Sequence, residues 1–89
     1  MTDRKHYTLE LSSAAQKALE RLPKNVVIRV DKAINSLALD QRPRGYKKLA
    51  GTDNDYRIRV GDYRVVYEIA DEIRIVRINR VRHRREVYR

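Results

Sequence analysis

Three arginines at alternate positions of apolar-rich runs, Arg57, Arg59 and Arg64, and a basic tail carrying His83, Glu86 and Tyr88 are the residues of this chain whose types and spacing could do chemistry. The planar fork of arginine matches phosphate oxygens in pairs and keeps its charge at any physiological pH. Such groups can align a phosphate and stabilise the extra negative charge of a transition state, but they neither give nor take protons readily. That set is poor for most enzymes. It could suffice for cleaving RNA, which brings its own nucleophile in the 2′-hydroxyl and needs alignment, charge stabilisation and some help with proton movements.

Other chemistries find little support. The only histidines are His6 and His83, and no His, Asp and Glu positions have metal-ligand spacing, so neither a metal nor another cofactor is expected. There is no cysteine for a thiolate site or a disulfide framework, no glycine-rich phosphate loop, and no motif around a serine nucleophile.

The elements that must position the arginines follow from periodicity. Tyr56 to Val60 alternates apolar residues with Arg57 and Arg59, which in a strand separates a core face from a cationic one. Gly61-Asp62 suits a two-residue hairpin turn, and Tyr63 to Ile69 repeats the alternation with Arg64 on the cationic side. A second turn around Ala70-Asp71-Glu72 leads to a third strand from Ile73 to Val81, where Val76 and Ile78 oppose Ile73, Ile75 and Val81; this predicts a central strand covered on both faces. Upstream, His6 to Leu11 reads as a first strand with Tyr7, Leu9 and Leu11 inward. Ser13 with Gln16 fits a capping box opening a helix that carries Ala15, Ala18, Leu19 and Leu22. Pro23 separates it from a second helix, Lys24 to Leu39, with Val27, Val30, Ile34 and Leu37 as its apolar stripe. Asp40 to Asp55 is an exposed connection; its basic group of Arg42, Arg44, Lys47 and Lys48 is either a solvated loop or an auxiliary contact to RNA backbone.

The expected fold is therefore a small single α+β domain over residues 1–89, in the order β-α-α-β-β-β, with a helical hairpin on one face of a mostly antiparallel four-stranded sheet. A formal net charge of +9, with 15 of 21 basic residues arginine, favours nucleic acid as partner over a purely solubilising surface; an acidic protein is the other obvious partner. No run approaches a membrane span and no secretory signal precedes the first strand, so no membrane partner and a cytoplasmic location are expected.

Three ordered motifs carry a resemblance. Tyr56-Arg57-Ile58-Arg59, Tyr63-Arg64-Val65-Val66-Tyr67 and His83-Arg84-Arg85-Glu86-Val87-Tyr88, with Lys48-Leu49-Ala50-Gly51 upstream, resemble the RelE branch of the RelE/ParE toxin superfamily. The resemblance implies the toxin of a type II toxin–antitoxin pair, an mRNA interferase that enters the ribosomal A site, beside the 16S rRNA, and cuts mRNA there without a metal by 2′-hydroxyl attack. It also implies a cognate antitoxin in a heteromeric complex, laying an amphipathic helix in an apolar groove. By the same resemblance Arg57 and Arg59 face the scissile phosphate, Arg64 stabilises the transition state, and Tyr88 activates the 2′-hydroxyl or stacks on a base. The remaining family arginine matches Arg84, which we prefer, or Arg82 by counting back from Tyr88; Arg82 and Arg85 otherwise serve as nonspecific RNA contacts. Two departures stand out. Arginines replace lysines on the second strand, leaving His83 as the natural general acid, and Arg82 stands where the motif has glycine. The competing reading within the superfamily is a ParE-like toxin that inhibits DNA gyrase by binding, without nuclease activity.

Overall fold

The computed structural model describes residues 6–87, and at 86 and 87 the backbone alone. The elements are β1 (Thr8–Leu11), α1 (Ser13–Arg21), α2 (Lys24–Ser36), β2 (Lys47–Lys48), β3 (Asp55–Val60), β4 (Tyr63–Ala70), β5 (Ile75–His83) and α3 (Arg84–Val87). The strands form one sheet in the order β1-β5-β4-β3-β2, parallel between β1 and β5 and antiparallel elsewhere. The α+β arrangement with two helices on a mostly antiparallel sheet is as expected. The sheet has five strands rather than four, because Lys47 and Lys48 leave the connecting loop to pair with Arg57 and Tyr56 at the edge.

Local signals set the helices, with two shifts. The cap of α1 is Ser12, not Ser13: its Oγ accepts from the Ala15 amide at 3.0 Å, so Gln16 lies one position too far along for a capping box. The Ser12 hydroxyl also donates to the Asn79 carbonyl at 2.7 Å. Pro23 caps α2 from outside, its carbonyl accepting from the Val26 and Val27 amides, and α2 ends at Ser36, three residues earlier than the apolar stripe suggested.

The helical face of the sheet is the core. Val65, Tyr67, Ile69, Val76, Ile78 and Val81 of the sheet enclose Ala15, Val30, Ile34 and Leu37 of the helical layer, and all are buried. Each fully buried aliphatic side chain contributes about 1.5–3 kcal/mol relative to exposure. Leu11, expected inward, is 39% exposed at the outer strand of the sheet.

One irregularity decides which residues reach the other face. On β4 and β5, Val66 pairs with Arg80 but Tyr67 pairs with Ile78, so Asn79 is an extra residue on β5, a β-bulge. It shifts the alternation by one position. Val76 and Ile78 before it and Val81 after it therefore all point to the helices, while Arg80 and Arg82 both point away. This replaces the expected two-faced strand from Ile73, which is itself 62% exposed in the preceding turn.

Candidate functional site

The sheet face away from the helices is open, and its register lines up arginines across strands. Arg59 of β3 pairs with Arg64 of β4, which pairs with Arg82 of β5. Directly paired residues on neighbouring strands have Cβ atoms about 4.5–5.5 Å apart, so three guanidinium groups share one row. A second row, two residues further along the strands, reads Lys47, Arg57, Val66 and Arg80. The third reads Asp55, Glu68, Arg77 and Glu10, and is acidic. There Arg77 bonds Glu10 at 3.2 Å and Glu68 at 3.1 Å, which raises its already high pKa, through Glu68 first. The open face is thus cationic towards the Gly61-Asp62 turn and charge-compensated towards the other end.

The turn completes the cationic end. Gly61 adopts φ +60°, the left-handed conformation that a tight hairpin asks of its first central residue. A small concavity beside it is lined by Arg59, Gly61, Asp62, Tyr63, Arg64 and Arg84. Arg84 opens α3, its amide donating to the Asp62 carbonyl at 2.8 Å and its exposed guanidinium lying 3.9 Å from the Asp62 carboxylate. Both readings of the remaining arginine therefore reach the site. Arg82 stands in the row with Arg64, and Arg84 flanks the row from the turn.

Other expected site residues are distributed differently. Arg57 points to the open face but is only 7% exposed, so it is an interior cation rather than a surface one. His83 does not face the arginines: it pairs with Tyr63 on the helical side, the two rings meeting edge to face at 5.0 Å, and its Nδ1 accepts from the Arg85 amide at 3.2 Å. The bulge is the cause, since it turns odd-numbered residues after Asn79 toward the core. Lys47 shares the open face, whereas Lys48 pairs with Tyr56 on the opposite one. Arg44 is exposed in the loop before β2, and Arg85 is exposed on α3. Tyr88 and the side chain of Glu86 lie outside the described residues. Among the described residues, no group of three or more His, Asp or Glu side chains is placed to hold a metal ion.

Arg42, read with the basic loop, has a structural partner. Its guanidinium bonds Asp71 at 2.8 Å and lies 5.6 Å from the Tyr56 ring centroid, while the Tyr7 hydroxyl donates to the other Asp71 oxygen at 2.6 Å. The hydrogen bond from Arg42, then that from Tyr7, holds the Asp71 carboxyl below the usual range; the Asp71 hydrogen bond in turn raises the Tyr7 phenol. Further in, the buried Tyr67 hydroxyl donates to the Gln41 carbonyl at 2.8 Å, and burial pushes that phenol well above its ordinary value. These contacts pin the loop to the helical side of the sheet, next along the strands to the second row but on the opposite face. The basic residue that sequence reasoning missed is Arg80. Simple alternation along β5 cannot place Arg80 and Val76 on opposite faces, and only the bulge does.

Comparison with known proteins places this geometry. The family model for the ParE toxin of type II toxin–antitoxin systems, parDE, matches residues 9–88. Toxin RelE3 of Methanocaldococcus jannaschii is 36% identical over 76 residues, covering 81% of this chain and 84% of its own. Toxin RelG of Mycobacterium tuberculosis is 34% identical over 87 residues, covering 93% of this chain and 97% of its own. Among solved structures, the archaeal RelE-RelB complex from Pyrococcus horikoshii OT3 contains a chain that superposes with a TM-score of 0.79 at 31% identity, covering 89% of this chain and 96% of that one.

Proposed function

We propose that this chain, which belongs to the RelE/ParE superfamily of type II toxin–antitoxin toxins, acts as an endoribonuclease that cuts mRNA in the ribosomal A site. The observation that carries the reading is the row of Arg59, Arg64 and Arg82 on the open sheet face. Three planar cations side by side suit a phosphate whose charge increases in the transition state. In the proposed step the 2′-oxygen attacks the adjacent phosphorus and the bond to the 5′-oxygen breaks, leaving a 2′,3′-cyclic phosphate and a 5′-hydroxyl. The 2′-hydroxyl loses a proton and the 5′-oxygen gains one. The chain's own groups align and stabilise this displacement, and by the resemblance Tyr88 either activates the 2′-hydroxyl or stacks on a base, with Glu86 the other candidate to take the first proton. His83, on the helical side of the sheet, would have to reach around the end of β5 to protonate the leaving oxygen.

The family also implies an antitoxin partner, and the Pyrococcus relative was solved with RelB. We assign the mRNA and the 16S rRNA around the A site as further partners, with the exposed Arg44, Lys47, Lys48 and Arg85 as backbone contacts that give affinity and salt dependence without chemistry. A cytoplasmic location follows from this assignment. Among the described residues no helix is long and apolar enough to cross a membrane.

Primer extension on an mRNA held in a programmed ribosome, beside the same mRNA free in solution, tests the reading. A cut within the A-site codon that vanishes in Arg64→Ala, and on 2′-deoxy substitution at the cleaved position, is the expected result. A second reading has one observation in its favour, the ParE description of the matching family model. Inhibition of gyrase supercoiling with no cut in any RNA would establish it in place of the nuclease.

A further inference from the structure

We infer that Arg80 is a second phosphate-binding residue, holding the RNA backbone one nucleotide away from the phosphate in the Arg59, Arg64 and Arg82 row. The inference rests on the nuclease reading for the identity of the ligand, single-stranded RNA, and on geometry for the residue. Arg80 is exposed, points to the open face, and stands two residues from Arg82 on the same strand, about 6.6–6.8 Å along it. Its row neighbour across β4 is the uncharged Val66, and beyond Val66 lies the interior Arg57. Among the described residues Arg80 has no acidic partner, in contrast to Arg77 one row further on, which Glu10 and Glu68 compensate. An RNA strand crossing the cationic end therefore meets two rows able to take phosphates before it reaches an acidic row that repels them.

The bulge makes this possible, and a specific contact holds the bulge. Were β5 regular through Asn79, with Asn79 taking a place in the pairing, Arg80 would point into the core and Val81 outward. The Ser12 hydroxyl donates to the Asn79 carbonyl while its oxygen caps α1, so the start of the helical layer is tied to the residue that turns Arg80 outward. An anchored bulge that re-aims a side chain is a common device beside functional sites.

Two measurements on the purified full-length protein test the inference. The first is the affinity for a fluorescent 12-nucleotide 2′-O-methyl RNA, which cannot be cut through its own hydroxyl, as a function of KCl concentration. Arg80→Ala is expected to weaken binding about 3–10-fold and to make the slope of log K against log salt shallower by about 0.7, the value of one single-strand phosphate contact. Arg80→Lys should restore the slope, and Lys17→Ala, which removes an exposed charge on α1, should leave it as in the wild type. The second is A-site cleavage kinetics, where Arg80→Ala should raise KM by a similar factor and leave kcat within twofold. An unchanged slope in folded Arg80→Ala, an equal loss in Lys17→Ala, or no binding by the wild type overturns the inference. Absence of A-site cleavage with the Arg80 slope change intact overturns the nuclease reading alone.

Discussion

The Ser12 hydroxyl lies 2.7 Å from the carbonyl oxygen of Asn79, a hydrogen bond across 67 positions of sequence that joins the cap of α1 to the bulge of β5. One side chain thus serves two backbones, accepting from Ala15 and donating to Asn79. Ser12→Ala should remove both. Loss of the cap alone costs about 1 kcal/mol, equivalent to a fall in Tm of roughly 4–8 °C for a domain this size. RNA affinity should fall further than in a mutant destabilised equally elsewhere, because Arg80 and Arg82 lose their fixed direction. Ser12→Thr keeps the hydroxyl and should recover most of both, as read by thermal melts beside the RNA titration.

Arg64 occupies the middle of the arginine row, between Arg59 and Arg82. Arg64→Ala should change stability by less than about 1 kcal/mol, as expected of a residue outside the core, and lower the cleavage rate by about 10²–10³-fold. Arg64→Lys keeps the charge and loses the fork, so its rate should fall between the two. Single-turnover cleavage with urea melts on the same samples separates these effects; a collapse of the fold in Arg64→Ala would remove it from the site.

Asp71 gives a pH dependence of definite sign. Its folded pKa is lowered, by the Arg42 hydrogen bond first and then by Tyr7. The stability it contributes is therefore present above its unfolded pKa of roughly 3.9 and is lost as pH falls through the lower folded value. The Arg42 and Asp71 side chains are 40% and 51% exposed, so solvent screening holds the contribution below about 1 kcal/mol. Asp71→Asn should be less stable than the wild type at pH 7 by that margin, with the gap closing below about pH 4, in urea melts across pH.

Tyr67 carries the buried hydrogen bond to the Gln41 carbonyl. Tyr67→Phe preserves the ring in the core and should cost about 1–3 kcal/mol, the range for a buried polar pair broken on one side. Its effect on RNA binding should be negligible, since the contact lies on the face of the sheet opposite the arginine rows.

Gly61→Ala places a Cβ on a residue at φ +60°, with the Arg29 Nη2 3.2 Å away. The side chain of Arg29 can move aside, so the backbone carries the cost, about 1–2 kcal/mol. Because Arg59 and Arg64 flank this turn, cleavage should fall along with Tm.

Much of this was legible from local pattern. Alternation in Tyr56 to Val60 and Tyr63 to Ile69, with Gly61-Asp62 between, is enough to put Arg57, Arg59 and Arg64 on one face. Ser12-Ser13 and Pro23 announce two helices to within a residue or so at their starts. What was hidden depends on contacts distant in sequence. Lys47 and Lys48 become a strand only because β3 offers them a partner. Nothing near Asn79 marks a bulge, since the contact that holds it comes from Ser12, and with the bulge went the faces of Arg80 and His83. The burial of Arg57 is equally a tertiary property, invisible in a run where it looks identical to Arg59.

The parallel pairing of β1 with β5 also orders events in time. The helical hairpin closes through neighbours in sequence, but β1 finds its partner only after residues 75–83 have been made. Long-range strand pairing is the slow part of folding, because the loop it closes must first be confined. The row of Arg59, Arg64 and Arg82 is completed by that same last strand. A chain still being synthesised, at roughly 5–20 residues per second, therefore carries no complete arginine row until β5 has been made and paired.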